Sequence, residues 1–333
     1  MVQTVDRVEP LVQTSMHDFL EERRGIRYLF FGGKGGVGKT VMASATAVAL
    51  ARQGKRTLLA STNPVHSLSG CLECDVFGKA TPVEGVDKLW GLEIDTKQVI
   101  DRSKKEIKEK VQWFLKFAEI SSKEAAEFVE AATMNPAFEE SAMFENMVEL
   151  MFKDEYDVYV FDTAPTANAR RLLGMSKVYG LWVNKMVKSR EEAQSLRELL
   201  SFSKKKEDDP LMDYLVDFRE RIGHAKELLT DPEKTAFFFV TLPEALPIAV
   251  IRRFISWFTE FGIPVGGVVV NQVIEPGAGR LPEFVRNRVE MQGEHMGEIR
   301  EAFGDQVRAV LPLYDDELQG VEDLKMAAGD LFA

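Results

Sequence analysis

The sequence predicts an α/β fold with a mostly parallel central sheet covered by helices on both faces, and three observations carry that expectation. Short apolar runs alternate with helical patterns along 333 residues, the rhythm of strand–helix–strand units. These runs are rich in Val, Phe and Leu with little polar alternation, which suits strands shielded on both sides. The string Gly33 to Thr40, GKGGVGKT, lies where an apolar strand (Ile26 to Phe31) meets an Ala-rich helical segment. That junction is where a phosphate-binding loop is built.

Taken in order, the expected strands are Arg27 to Phe31, Thr57 to Ala60, Leu89 to Ile94, Val158 to Phe161, Phe237 to Thr241, Val265 to Val270 and Ala309 to Leu313. Two intervals break the alternation. Residues 96 to 150 and 172 to 232 are polar–apolar helical stretches too long for single crossovers. They are expected to pack together as a helical subdomain inserted above the carboxyl ends of the strands. Within the second, Ser203 to Pro210 (SKKKEDDP) reads as a charged hinge or exposed loop. The expected organisation is an N-terminal extension over 1–24, with a short amphipathic helix, followed by one nucleotide-binding domain over 25–333. The chain shows no internal repeat.

Bulk properties narrow the partners. A net charge of -11 and a pI near 5.1 argue against an electrostatic grip on nucleic acid or on an anionic membrane surface, both of which need a basic face. Phosphate must therefore be bound locally. No signal-like segment and no apolar run near the roughly 18 residues of a membrane span is present, so a cytoplasmic location is expected. Two cysteines, Cys71 and Cys74, do not make a disulfide framework.

The loop supplies the chemistry. Its glycines (Gly33, Gly35, Gly36, Gly38) let successive N–H groups turn toward an anion, and the helix that follows adds its positive end. Lys39 is placed to reach the β- and γ-phosphates, and the Thr40 hydroxyl to hold Mg²⁺; Val37 and Val41 complete the nucleotide-binding set. Asp162 ends the apolar strand in YDVYVFDTAPTANARRLL, where a carboxylate meets Mg²⁺ through its water shell.

Lys34 exceeds what an ordinary phosphate loop needs, and alone it is a solvated loop lysine. With it, KGGVGKT resembles the deviant Walker A loop of the signature-lysine dimeric ATPases, which include septum-site, partition, nitrogenase-iron and arsenite-pump proteins. That resemblance implies a P-loop NTPase fold and a homodimer closed face to face by ATP, Lys34 reaching the partner's nucleotide. Further strings narrow the group: DTAPT (from Asp162) resembles the second switch of the ArsA-like family, and STNPVHSLSG (Ser61 to Gly70) its first. TPVEGVDKLWGLEID (Thr81 to Asp95), VVNQV (Val269 to Val273) and LPLYDDELQG (Leu311 to Gly320) resemble later segments, so the likeness runs from Tyr28 to Leu324. It implies that Asn271 reads the adenine edge and that Pro312 flanks the base. An NKxD guanine motif is absent, which favours ATP.

The chain also departs from that pattern. Asn63 stands where the family's first switch places an aspartate that activates the attacking water, and an amide cannot accept that proton. A general base is worth about 10² to 10⁴ in rate, roughly 3 to 5 kcal/mol of barrier, so slow hydrolysis with retained Mg-ATP binding is expected. After DTAPT the family continues with Gly and His, where this chain has Ala167 and Asn168. Cys71 and Cys74 form a CxxC, readable as half of a zinc site or as a redox pair. The family's own CxxC lies beyond the adenine-binding asparagine, and Arg280 to Asn287 has no cysteine. Nor can two cysteines supply the three of the arsenite-pump metalloid site. His66 reads as a hydrogen bonder near the switch.

Met143, Met147 and Met151 recur at helical spacing and read as core. Val178 to Val187 differs: Tyr179, Leu181, Trp182, Val183 and Met186 spread apolar character around much of a helix, which then needs a second apolar partner. Residues 98 to 131, a second subunit or a client helix could each be that partner. In the targeting ATPases of the family, matching helices form a groove for a transmembrane segment. Three functions follow: an ATP-switched chaperone or targeting factor for tail-anchored membrane proteins, an ATPase subunit driving an arsenite or anion pump, and a partition-type regulatory ATPase. The missing third cysteine weakens the second, and the acidic balance weakens the third.

Overall fold

The computed structural model describes residues 10–62, 67–118, 136–163, 188, 210–275 and 282–333. Its described residues fall into two compact units, one drawn from 1–95, 154–165 and 232–333, the other from 96–153 and 166–231.

In the first unit eight strands form one sheet: β1 (Tyr28–Gly32), β2 (Thr57–Ser61), β3 (Thr81–Pro82), β4 (Leu89–Glu93), β5 (Val158–Asp162), β6 (Thr235–Thr241), β7 (Val265–Val273) and β8 (Val307–Pro312), ordered β3-β4-β2-β5-β1-β6-β7-β8. All pairs are parallel except β3 against β4. The mostly parallel sheet read from the sequence is present, and β3 is the strand it did not show: two residues ending in a proline, tolerable only at an edge. The order places β1 inside the sheet, with β6, β7 and β8 added outward on one side and β5, β2, β4 and β3 lying on the other. Such a reversal opens a crevice at the carboxyl ends of the strands.

The period-two pleat sorts the apolar runs onto two faces. On one, Phe30 stacks on Phe161 (4.8 Å) and Phe237 (4.3 Å) of the neighbouring strands, and Phe258 meets Phe237 and Phe239 edge-on at 4.9 and 5.2 Å. Phe258 belongs to α7 (Ala245–Glu260), which covers this face. On the other, Leu29, Phe31, Val160 and Phe238 join a core with α2 (Lys39–Arg52), α9 (Gly320–Leu331) and α1 (Met16–Glu22). Ser15 caps α1 by accepting from the Asp18 N–H at 3.2 Å, and Met16 and Phe19 are buried. Phe19 meets Phe238 edge-on at 5.5 Å, while Arg308 lies over its ring at 5.0 Å and donates to the Thr14 carbonyl at 3.2 Å. The helix preceding β1 is thus part of the core. Helices α3 (Ser67–Leu72) and α8 (Glu283–Phe303) complete this unit.

The second unit contains α4 (Thr96–Ala118), α5 (Pro136–Lys153) and α6 (Pro210–Thr230). Glu149 of α5 accepts from Arg102 of α4 at 3.0 Å and lies 3.6 Å from Arg221 of α6. Met143, Met147 and Met151 are buried, as their spacing suggests. No helix among the described residues is long and apolar enough to cross a membrane.

Candidate nucleotide-binding site

β1 runs straight into the loop and α2 leaves it. Gly33 is required by a close approach, since a Cβ there would lie 2.2 Å from the Val240 carbonyl oxygen of β6. Gly38, with φ +90°, caps α2, and a Cβ on it would lie 2.3 Å from the Asn271 amide nitrogen. Between them Val37 is buried, while Lys34, Gly35 and Gly36 are exposed and Gly38, Lys39, Thr40 and Val41 are half-buried. No side chain caps α2 and its first turn holds no acid, so its leading N–H groups remain for an anion. Lys39 Nζ donates to the Lys34 carbonyl at 3.0 Å. Burial pulls its ammonium below the usual lysine range, and the negative charge of Asp162 pushes it back up.

Asp162 is the electrostatic centre. Its Oδ2 accepts from Thr40 Oγ1 at 2.8 Å and from Ser61 Oγ at 3.0 Å. At 2 % exposure the carboxyl is pushed above the usual carboxylate range by burial, against the pull of the Thr40 and Ser61 hydroxyls and of Lys39. Oxygen donors around a carboxylate whose charge lacks solvent suit a hard divalent cation, which would restore that charge. Sequence reading brought Thr40 and Asp162 together but missed Ser61, the one hydroxyl closing the apolar strand TLLAS. It also missed Glu93, buried at the end of β4, which accepts from the Leu68 N–H at 3.1 Å and Ser69 Oγ at 2.7 Å. That carboxylate holds the start of α3, which overlaps the string Ser61 to Gly70. Asn63 and His66 lie outside the described residues.

Asn271 and Pro312 sit at neighbouring strand ends, on β7 and β8, and Pro312 aligns with Val273. Asn271 is 5 % exposed and donates from Nδ2 to the Val37 carbonyl at 3.0 Å, so it braces the phosphate loop directly. Neither CxxC reading gains support. Cys71 is buried with its thiol pushed up to about 11, chiefly by desolvation, and it contacts Ser44 Oγ at 3.7 Å. A thiol held protonated is a poor nucleophile and a poor ligand. Among the described residues, no group of three His, Cys, Asp or Glu side chains is placed to hold a metal. Tyr179, Leu181, Trp182, Val183 and Met186 fall outside the described residues.

Comparison with known proteins agrees with this geometry. A family profile described as anion-transporting ATPase, ArsA, matches residues 26–333. The chain is 34% identical to a putative arsenical pump-driving ATPase 2 of Aquifex aeolicus over 90% of this chain and 97% of that protein. It is 28% identical to ATPase ASNA1 homolog 1 of Paramecium tetraurelia, and 29% identical to ATPase GET3 of Mycosarcoma maydis, in both cases over 96% of this chain and 94% of the relative. Matched by that profile over residues 26–333 and by the Aquifex relative over 90% of its length, this chain belongs to the ArsA family of anion-transporting ATPases.

Proposed function

We propose that this ATPase is a dimeric, Mg-ATP-closed switch that hydrolyses slowly and shields hydrophobic, tail-anchored membrane clients in the cytoplasm. It is read as one P-loop domain over 25–333 with a helical subdomain inserted from 96–150 and 172–232 and an extension over 1–24. One observation supports the nucleotide chemistry above all: the uncapped start of α2, which carries Lys39, lies against the Thr40–Asp162–Ser61 cluster. Thr40 and Asp162 would hold magnesium, which supplies charge neutralisation at the phosphates. Lys39 and the loop N–H groups orient the triphosphate, and Lys34, whose side chain is exposed, is free to serve a second protomer. Asn271 and Pro312 take the base.

Targeting is favoured over pump driving because the chain has only two cysteines, one of them Cys71, buried and held as a thiol. The apolar set Tyr179, Leu181, Trp182, Val183 and Met186 is the proposed client surface. Sedimentation with a purified tail-anchored transmembrane peptide tests the reading: Mg-ATP should convert monomer to dimer and recruit the peptide, whereas a monomer that ignores it counts against the proposal. Slow hydrolysis has its own test. Asn63→Asp should raise turnover by about a hundredfold or more; equal, brisk rates in both proteins remove Asn63 as the cause.

A further inference from the structure

The strand that carries Asn271 ends in an irregularity. β7 and β8 pair at Val270–Val310 and again at Val273–Pro312, so three steps along one strand match two along the other. The surplus falls at Gln272, whose φ of +58° lies in the left-handed region, which a residue with a Cβ enters only at a cost. A side chain from α8 supports it. Gln292 Oε1 accepts from the Ile274 N–H at 2.9 Å, and its Nε2 donates to the Gln272 carbonyl at 3.1 Å. The two backbone partners decide which end of the carboxamide is which. In effect Gln292 supplies the peptide group that β8 does not present across the bulge. At 8 % exposure it is packed in place.

We propose that Gln292 is the positioning residue for base recognition. By clamping the backbone on both sides of Val273, it holds the bulge that aims the preceding Asn271, as bulges beside sites re-aim side chains. Asn271 then spends one N–H on the Val37 carbonyl and turns its Oδ1 toward the base, where it accepts from the exocyclic amine of adenine. A 6-oxo purine presents an acceptor at that point and is refused. This rests on the reading of Asn271 as the adenine contact. Glutamate at 292 would keep the acceptor for Ile274 but lose the donor to Gln272; leucine would lose both.

Calorimetric titration of the full chain, Gln292→Leu and Gln292→Glu with Mg-ATP, Mg-ITP and magnesium tripolyphosphate tests this. Gln292→Leu should lower the preference for ATP over ITP about tenfold, the effect of one misplaced hydrogen bond, while tripolyphosphate affinity stays within about twofold. Gln292→Glu should shift the preference in the same direction by less, and it carries the test if the leucine variant does not fold. An unchanged preference in the folded variants overturns the proposal, and so does an equal loss for tripolyphosphate, which would mark general loosening. If the natural chain binds ATP and ITP alike, the adenine reading of Asn271 falls and Gln292's role with it. If it discriminates and both variants discriminate equally, only the role of Gln292 is lost.

Discussion

Two aspartates bracket β5, and their circumstances are opposite. Asp157, just before the strand, is exposed and takes the Arg56 backbone N–H at 2.8 Å and its guanidinium at 3.0 Å, bonds that hold its carboxyl below the usual range. Asp162, closing the strand, is buried and pushed above that range. One end of the sheet neutralises its charges with arginines that water also solvates. The other keeps a carboxylate under-compensated, served by two hydroxyls and an ammonium a step away. A fold that merely needed stability would not retain the second arrangement. Strain of this kind at the carboxyl ends of parallel strands marks where a cation and an anionic ligand restore the balance.

The contrast can be broken at either aspartate. The largest expected effect is on turnover: Asp162→Asn should cut ATP hydrolysis by at least about a hundredfold in a coupled assay. The same variant should melt roughly 2–4 °C higher without nucleotide or metal, because a buried charge has been removed. A lower melting temperature would mean that Asp162 stabilises the resting fold. Next in size is a pH effect. With its folded pKa raised, Asp162 favours the apo fold most below the ordinary carboxylate range, and that contribution declines as pH rises toward the folded value. Protons should therefore compete with metal, so magnesium-dependent ATP affinity should fall as pH drops toward the ordinary carboxylate range in the natural chain and less in Asp162→Asn. The smallest effect belongs to the other end. Asp157 has a depressed folded pKa, so its contribution is present above the ordinary carboxylate range and is lost as pH falls through the folded value. Being exposed and screened, Asp157→Asn should move the neutral-pH melting temperature by no more than about 1–2 °C and leave turnover unchanged.

Legibility in the sequence followed locality. The loop, its lysines and the carboxylate ending β5 were readable because strand, glycines and helix are contiguous, and long apolar runs announce buried strands. β3 was hidden because two residues carry no period; its pairing with β4 makes it a strand. Ser61 and Glu93 were missed although each is the polar residue closing an apolar run, a signal the Asp162 reading had used and could have been extended to them. Gln292 had no such signal. It is one polar side chain on a charged helix, and its meaning comes from partners 18 and 20 residues away. The family resemblance pointed to Asn271 as a base reader, while its contact with Val37, 234 residues earlier, emerges only in three dimensions.

The docking of α1 has a consequence for how the chain is made. The Thr14 carbonyl just ahead of it waits for Arg308, 294 positions downstream, and its Phe19 waits for Phe238. During synthesis α1 therefore waits for strands made much later in the chain, and Met16, Phe19 and Leu20 lack part of their cover until β6 and β8 have emerged. Closure of this core is thereby tied to the emergence of β8.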